Sequence, residues 1–213
     1  MTIKHHLTDA LLMAYSAGQL PEAFNLVVAT HLSMCDECRA NAESFDMIGG
    51  AMIDGGHVVA MADDGLQQTL ARLDRTVATV RPVVAQRSDV VAPLRDYIGG
   101  DLGSVKWHSI GMGVRQSILP AGRGATVRLL HIPAGQAVPD HGHRGLELTL
   151  VLQGAFRDAT DRFAKGDVEV ATQDLNHTPI AEGGMDCICL AATDAPLRFN
   201  SFLPRMLQPL FRI

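Results

Sequence analysis

Near the start of the chain three metal-binding side chains, His31, Cys35 and Cys38, are separated by gaps of three and two residues. On a helix, positions i, i+4 and i+7 share one face, so about two turns could aim all three donors at one point. Structural zinc takes four such donors at about 2.0–2.3 Å. Two thiolates with two neutral imidazoles leave the ion formally neutral, which lowers the cost of burying it. The fourth donor comes from His5 or His6, just before the first helical pattern. His6 is preferred because it more nearly abuts the core-facing stripe set by Leu7 and Leu11. The competing reading makes His31 a satisfied core histidine and the cysteines small core residues. A thioredoxin-type pair is a further alternative, but no βαβ pattern surrounds these cysteines.

A second set lies in the other half of the chain. On an extended strand His141 and His143 project to the same face, and Glu147 is in phase with them. Gly135 and Gly154 frame the segment, with Gly154 supplying the turn into the next strand. A further histidine completes the set if it lies on a strand crossing behind, and His177, following Gly166, has the required separation. Three histidines and a carboxylate accept zinc, manganese, iron, nickel or copper, and ligand type alone does not select among them. Zinc is the expected ion because the first cluster favours it. The competing reading leaves these histidines as polar residues on a surface turn.

Cys187 and Cys189 alternate on a predicted strand and so face the same way. They read first as buried small hydrophobes, because Ile188 and Leu190 look like core, and second as an oxidisable thiol pair. His57 follows two glycines and reads as a solvated linker residue, and neither His108 nor His131 has a second donor at ligand spacing.

Residues 1–85 carry the helical patterns. Thr8 caps a helix through Leu11, Leu12 and Tyr15 that stops at Gly18. Pro21 opens the next, with Phe24, Val27, Val28, His31 and Leu32 at helical spacing. A third runs through Cys38, Phe45 and Ile48 to Gly49 and Gly50, and a fourth presents Leu66, Leu70, Leu73 and Val77. Residues 86–94 read as a linker, and residues 95–213 as β structure with apolar runs at 125–132, 146–152, 168–171, 187–192 and 197–202. The expected fold class is a two-domain α plus β chain, helices first and a β-barrel or sandwich second.

Composition bounds the function. The net charge of −5 and an aromatic content of 5% disfavour direct nucleic-acid binding. Residues 1–85 hold 5 basic and 10 acidic side chains against 13 of each in residues 86–213, so the helical part suits a basic protein partner. No apolar run approaches the roughly 18 residues needed to cross a bilayer, and no signal peptide opens the chain, so the expected compartment is the cytoplasm.

An N-terminal histidine with His31, Cys35 and Cys38 in a short helical module resembles the zinc-binding anti-sigma domain family. Gly135, His141, His143, Glu147 and Gly154 match the first motif of the cupin barrel, and Gly166 with His177 resembles the second, although Thr172, Asp174 and Ala181 depart from its usual residues. The combination is similar to the ChrR-type anti-sigma factors. That resemblance implies a helical module that binds and inhibits an extracytoplasmic-function (group IV) sigma factor at 1:1 stoichiometry. It also implies a cupin-like jelly roll needed for release under singlet oxygen or other oxidative stress. It implies metal ligands His6, His31, Cys35 and Cys38 in one zinc site and His141, His143, Glu147 and His177 in the other, and no catalysis. The alternative is a metal-dependent cupin enzyme, a dioxygenase or isomerase, with a helical zinc-binding extension.

Overall fold

The computed structural model describes residues 2–73 and 90–199. Among the described residues five α-helices lead: α1 (Asp9–Ser16), α2 (Glu22–Leu32), α3 (Asp36–Asp54), α4 (Gly65–Leu73) and α5 (Ala92–Ile98). The Thr8 hydroxyl accepts the Leu11 N–H at 3.3 Å and caps α1, as its position before the apolar stripe predicts. Pro21 sits at the N-cap of α2, one residue ahead of the first-turn position expected. The third helix does not stop at Gly49–Gly50 but continues to Asp54 and ends at Gly55. A glycine in a helix interior costs about 1 kcal/mol, too little to break a long helix that has no proline or competing cap there. The expected extension of α4 to Val77 lies outside the described residues, as do 86–89 of the expected linker. Residues 92–94 of that linker belong to α5, where Leu94 is buried.

The remainder is antiparallel. Strands β1 (His108–Gly111), β2 (Val114–Leu119), β3 (Thr126–Ile132), β4 (His141–Gly142), β5 (Glu147–Gln153) and β6 (Ala155–Arg157) come first. They are followed by β7 (Arg162–Ala164), β8 (Val168–Ala171), β9 (Asn176–His177), β10 (Ile180–Ala181), β11 (Cys187–Thr193) and β12 (Arg198–Phe199). One large sheet has the order β1-β2-β3-β11-β5-β8, and two small ones have the orders β10-β6-β7 and β12-β4-β9. The apolar run expected over 197–202 is β12 up to Phe199; its later residues lie outside the described ones.

The alternation of side chains along β3, β5, β8 and β11 separates two cores. Leu130, Ile132, Val151, Cys187 and Cys189 join Phe156 and Phe163 in one apolar cluster. Val127, Leu129, Leu148, Leu150, Val168, Leu190 and Ala192 face the other way, into a cluster shared with Leu12, Phe24, Val27 and Val28. Helix α2 supplies the cover, packing on β11, β5 and β3. It is apolar on more than one side because it also packs on α1, α3 and α5. The helical region and the barrel therefore share a continuous core, and the central strands β3, β11 and β5 of the large sheet are buried on both faces.

Candidate metal centres

His31, Cys35 and Cys38 do not lie on one helix, which corrects the single-face geometry expected from their spacing. Helix α2 ends after Leu32, and Cys35 takes an extended conformation (φ −117°, ψ 107°) as the N-cap of α3. Its sulfur accepts the Cys38 N–H at 3.5 Å, the local bond that stops one helix and starts the next. The donors still converge, from the end of α2, from the junction and from the first turn of α3.

His6, His31, Cys35 and Cys38 each place a donor atom within 4.8 Å of the others. His6 Nδ1 lies 3.3 Å from Cys35 Sγ and 3.6 Å from Cys38 Sγ. Ligands of a tetrahedral zinc ion with the usual bond lengths stand about 3.5 Å apart, so this spacing fits. His31 Nδ1 lies 3.0 Å from the Gly166 carbonyl, which only accepts, so Nδ1 carries the proton. That leaves the His31 Nε2 lone pair buried without a hydrogen-bond partner. An orphaned buried lone pair facing two thiols is the feature a cation satisfies. His5 turns elsewhere, with its Nε2 3.0 Å from Asp161 Oδ2.

Burial keeps His31 and Cys38 of this cluster neutral. Burial holds His31 down to about 4, so it stays neutral and ligating near pH 7. Burial pushes the Cys38 thiol up to about 11, so metal uptake must displace its proton. Apparent zinc affinity is therefore expected to rise roughly tenfold per pH unit for that proton between about pH 6 and pH 8. Chelator-competition titrations check this, and an affinity flat in pH contradicts thiolate ligation.

In the barrel, His141 and His177 are opposite residues of β4 and β9. Gly142 beside them lets the Asn176 side chain lie close, because a Cβ there would displace it. His177 Nε2 stands 3.2 Å from His141 Nε2 and 3.3 Å from His143 Nε2. Ligands around a tetrahedral ion with metal–nitrogen bonds near 2.0–2.1 Å stand about 3.3 Å apart, so the three nitrogens are spaced for one. Glu147 lies beside this triangle, outside the tight donor group formed by the three histidines. Its Oε2 is 3.7 Å from His143 Nδ1, and its Oε1 accepts the Thr149 hydroxyl at 3.1 Å.

Sequence reasoning missed the carboxylates behind His177. Asp158 Oδ2 lies 2.7 Å from His177 Nδ1, and Glu169 Oε1 lies 3.2 Å from it. Burial alone would lower His177, but these two carboxylates outweigh it and raise its affinity for a proton. Burial raises Glu169 itself. A carboxylate on Nδ1 fixes the ring and leaves Nε2 to face the cluster. Glu169, a lone charge between Val168 and Val170 in a buried strand, is the available sequence signal.

Cys187 and Cys189 face the same way as expected, with sulfurs 3.5 Å apart and both side chains buried in the barrel interior.

Comparison with known proteins bears on both halves. Residues 96–195 match the family model of the ChrR cupin-like domain. Over 215 residues, covering all of both chains, the protein is 63% identical to the anti-sigma-E factor ChrR of Cereibacter sphaeroides. It also matches a chain in the crystal structure of Rhodobacter sphaeroides SigE in complex with the anti-sigma ChrR. That match has 58% identity and a TM-score of 0.82, covering 91% of this chain and 100% of that one.

Proposed function

Because this chain belongs to the ChrR family of anti-sigma factors, we propose that it binds a SigE-like extracytoplasmic-function (group IV) sigma factor one to one and withholds it from RNA polymerase. It works as a regulator in the cytoplasm and not as a cupin enzyme, since the identity runs the full length of a regulatory relative. The observation that carries the reading is the match to the chain solved with SigE.

The helical region offers a surface suited to such a partner. Met47, Ile48, Met52 and Ile53 on α3 and Leu66, Leu70 and Leu73 on α4 are exposed, Ile53 to 81%. Large apolar side chains concentrated on two successive helices exceed the scattered singles of an ordinary surface. The excess acidity of residues 1–85 adds complementarity to a basic sigma factor and speeds encounter. Residues 1–85 are assigned to inhibition and 95–213 to the response.

His6, His31, Cys35 and Cys38 would hold zinc, which supplies a cross-link between the N-terminal segment and the α2–α3 junction. His141, His143 and His177, with Glu147 alongside, would hold the second ion, again expected to be zinc. Singlet oxygen attacks electron-rich imidazole and thiol groups, and the barrel cluster concentrates them. Damage there is the proposed trigger for sigma release.

In a purified transcription assay with a SigE-like sigma factor and core RNA polymerase, an equimolar amount of this chain is expected to suppress sigma-dependent transcripts. Photosensitised singlet oxygen is expected to restore them in the wild type but not in His177→Ala. Unimpeded transcription at several-fold excess of the chain contradicts the inhibitory role, and full recovery in His177→Ala contradicts the sensory one.

A further inference from the structure

Residues 158–167 run between the two metal clusters and touch both. At one end Asp158, fully buried, meets His177 Nδ1 at 2.7 Å. Its other oxygen accepts the Thr160 N–H at 2.8 Å and the Asp161 N–H at 3.1 Å, which locks the turn into β7. Strand β7 pairs with β6, and Phe163 stacks on Phe156 at 5.0 Å, so the middle of the segment is rigid.

At the far end stands a second buried carboxylate, Asp167. Its Oδ1 accepts the backbone N–H groups of Lys4 at 2.7 Å and His5 at 3.0 Å. Its Oδ2 accepts the Ala164 N–H at 2.8 Å, closing the turn after β7. The residue so strapped, His5, immediately precedes His6. Gly166, in the same turn, holds His31 Nδ1 through its carbonyl. Its φ of +92° and the close approach of Ile3, 2.7 Å from where a Cβ would stand, admit only glycine there. The exposed contact between His5 and Asp161 adds little, because solvent screens it.

We infer that Asp158 and Asp167 are paired positioning residues at the two ends of a strut, Asp158 aiming His177 in the barrel cluster and Asp167 aiming His6 in the helical one. The strut makes the geometry of each cluster depend on the other. It deepens the functional reading above, since it names the route by which a disturbed barrel reaches the sigma-binding region. Coupling of this kind requires an element that both sites bias, and this segment contacts a donor residue of one cluster and both histidine attachments of the other.

The test uses the full chain with Cys187 and Cys189 replaced by alanine and Co2+ as the probe, read through the thiolate charge-transfer band, which then reports the Cys35–Cys38 cluster. Asp158→Ala touches no atom of that cluster, yet it is expected to weaken Co2+ there by about fivefold or more. In an Asp167→Asn background, where the strap is already loosened, the same change is expected to cost less than about twofold. Asp158→Asn, which keeps one oxygen for the turn, should shift the affinity the same way and serves if the alanine variant does not fold. Equal losses in both backgrounds, or none in either, overturn the strut. Sigma binding by the wild type is scored separately, so a chain that inhibits transcription without coupling its clusters sinks this inference and leaves the functional one standing.

Discussion

Cys35→Ser is expected to strip the helical cluster of its metal while leaving α3 capped. Cys35 has two functions: its sulfur faces His6 and Cys38, and it accepts the Cys38 N–H at the start of the helix. Serine is a strong N-cap, so the second function survives. A serine hydroxyl does not ionise near neutral pH, so the first is lost. Changes outside the ligand shell already cost metal sites 10–100-fold, so loss of a ligand should weaken this one by more than about a hundredfold. With metal binding to structural zinc sites contributing on the order of 10 kcal/mol, the N-terminal segment should then release. Elemental analysis and amide exchange over residues 3–7 check this. Wild-type metal content and exchange in the variant would refute thiolate ligation.

The second large effect is expected at the seam between helices and barrel. Phe24 is 2% exposed, in the core that α2 shares with the large sheet. Phe24→Ala should cost about 3–5 kcal/mol through lost burial and the cavity left behind. For a chain of this size each kcal/mol lowers Tm by about 2–4 °C, so a fall of at least 6 °C or so is expected. Because the core is continuous, calorimetry should show one transition that moves as a whole. Two transitions, with the barrel's unchanged, contradict a shared core.

The donor sets were legible because ligand chemistry restricts residue types and spacing more tightly than packing does. His31, Cys35 and Cys38 stood out by their gaps, and the structure gathers them with His6. Their geometry was not legible: the break after Leu32 arises from a thiol capping α3, a bond that no periodicity records. In the barrel, alternation found His141 and His143, whereas Asp158 and Glu169 reach His177 only through the pairing of strands distant in sequence. The cover of the sheet by α2 was written in β11, whose residues from Cys187 to Ala192 are all buried. Such a run signals a strand covered on both faces, not a barrel wall with one face in solvent. Gly49 and Gly50 misled because a glycine pair reads as a helix stop, although a long helix carries such residues at about 1 kcal/mol each.

The proposed function has a metal in the helical cluster brace the surface offered to a sigma factor. Calorimetric titration of a SigE-like sigma factor into metal-loaded and chelator-stripped wild-type chain tests it most directly. The loaded chain should bind one to one, and the stripped chain at least about a hundredfold more weakly, with affinity restored by added zinc. Equal binding by loaded and stripped chain would contradict it.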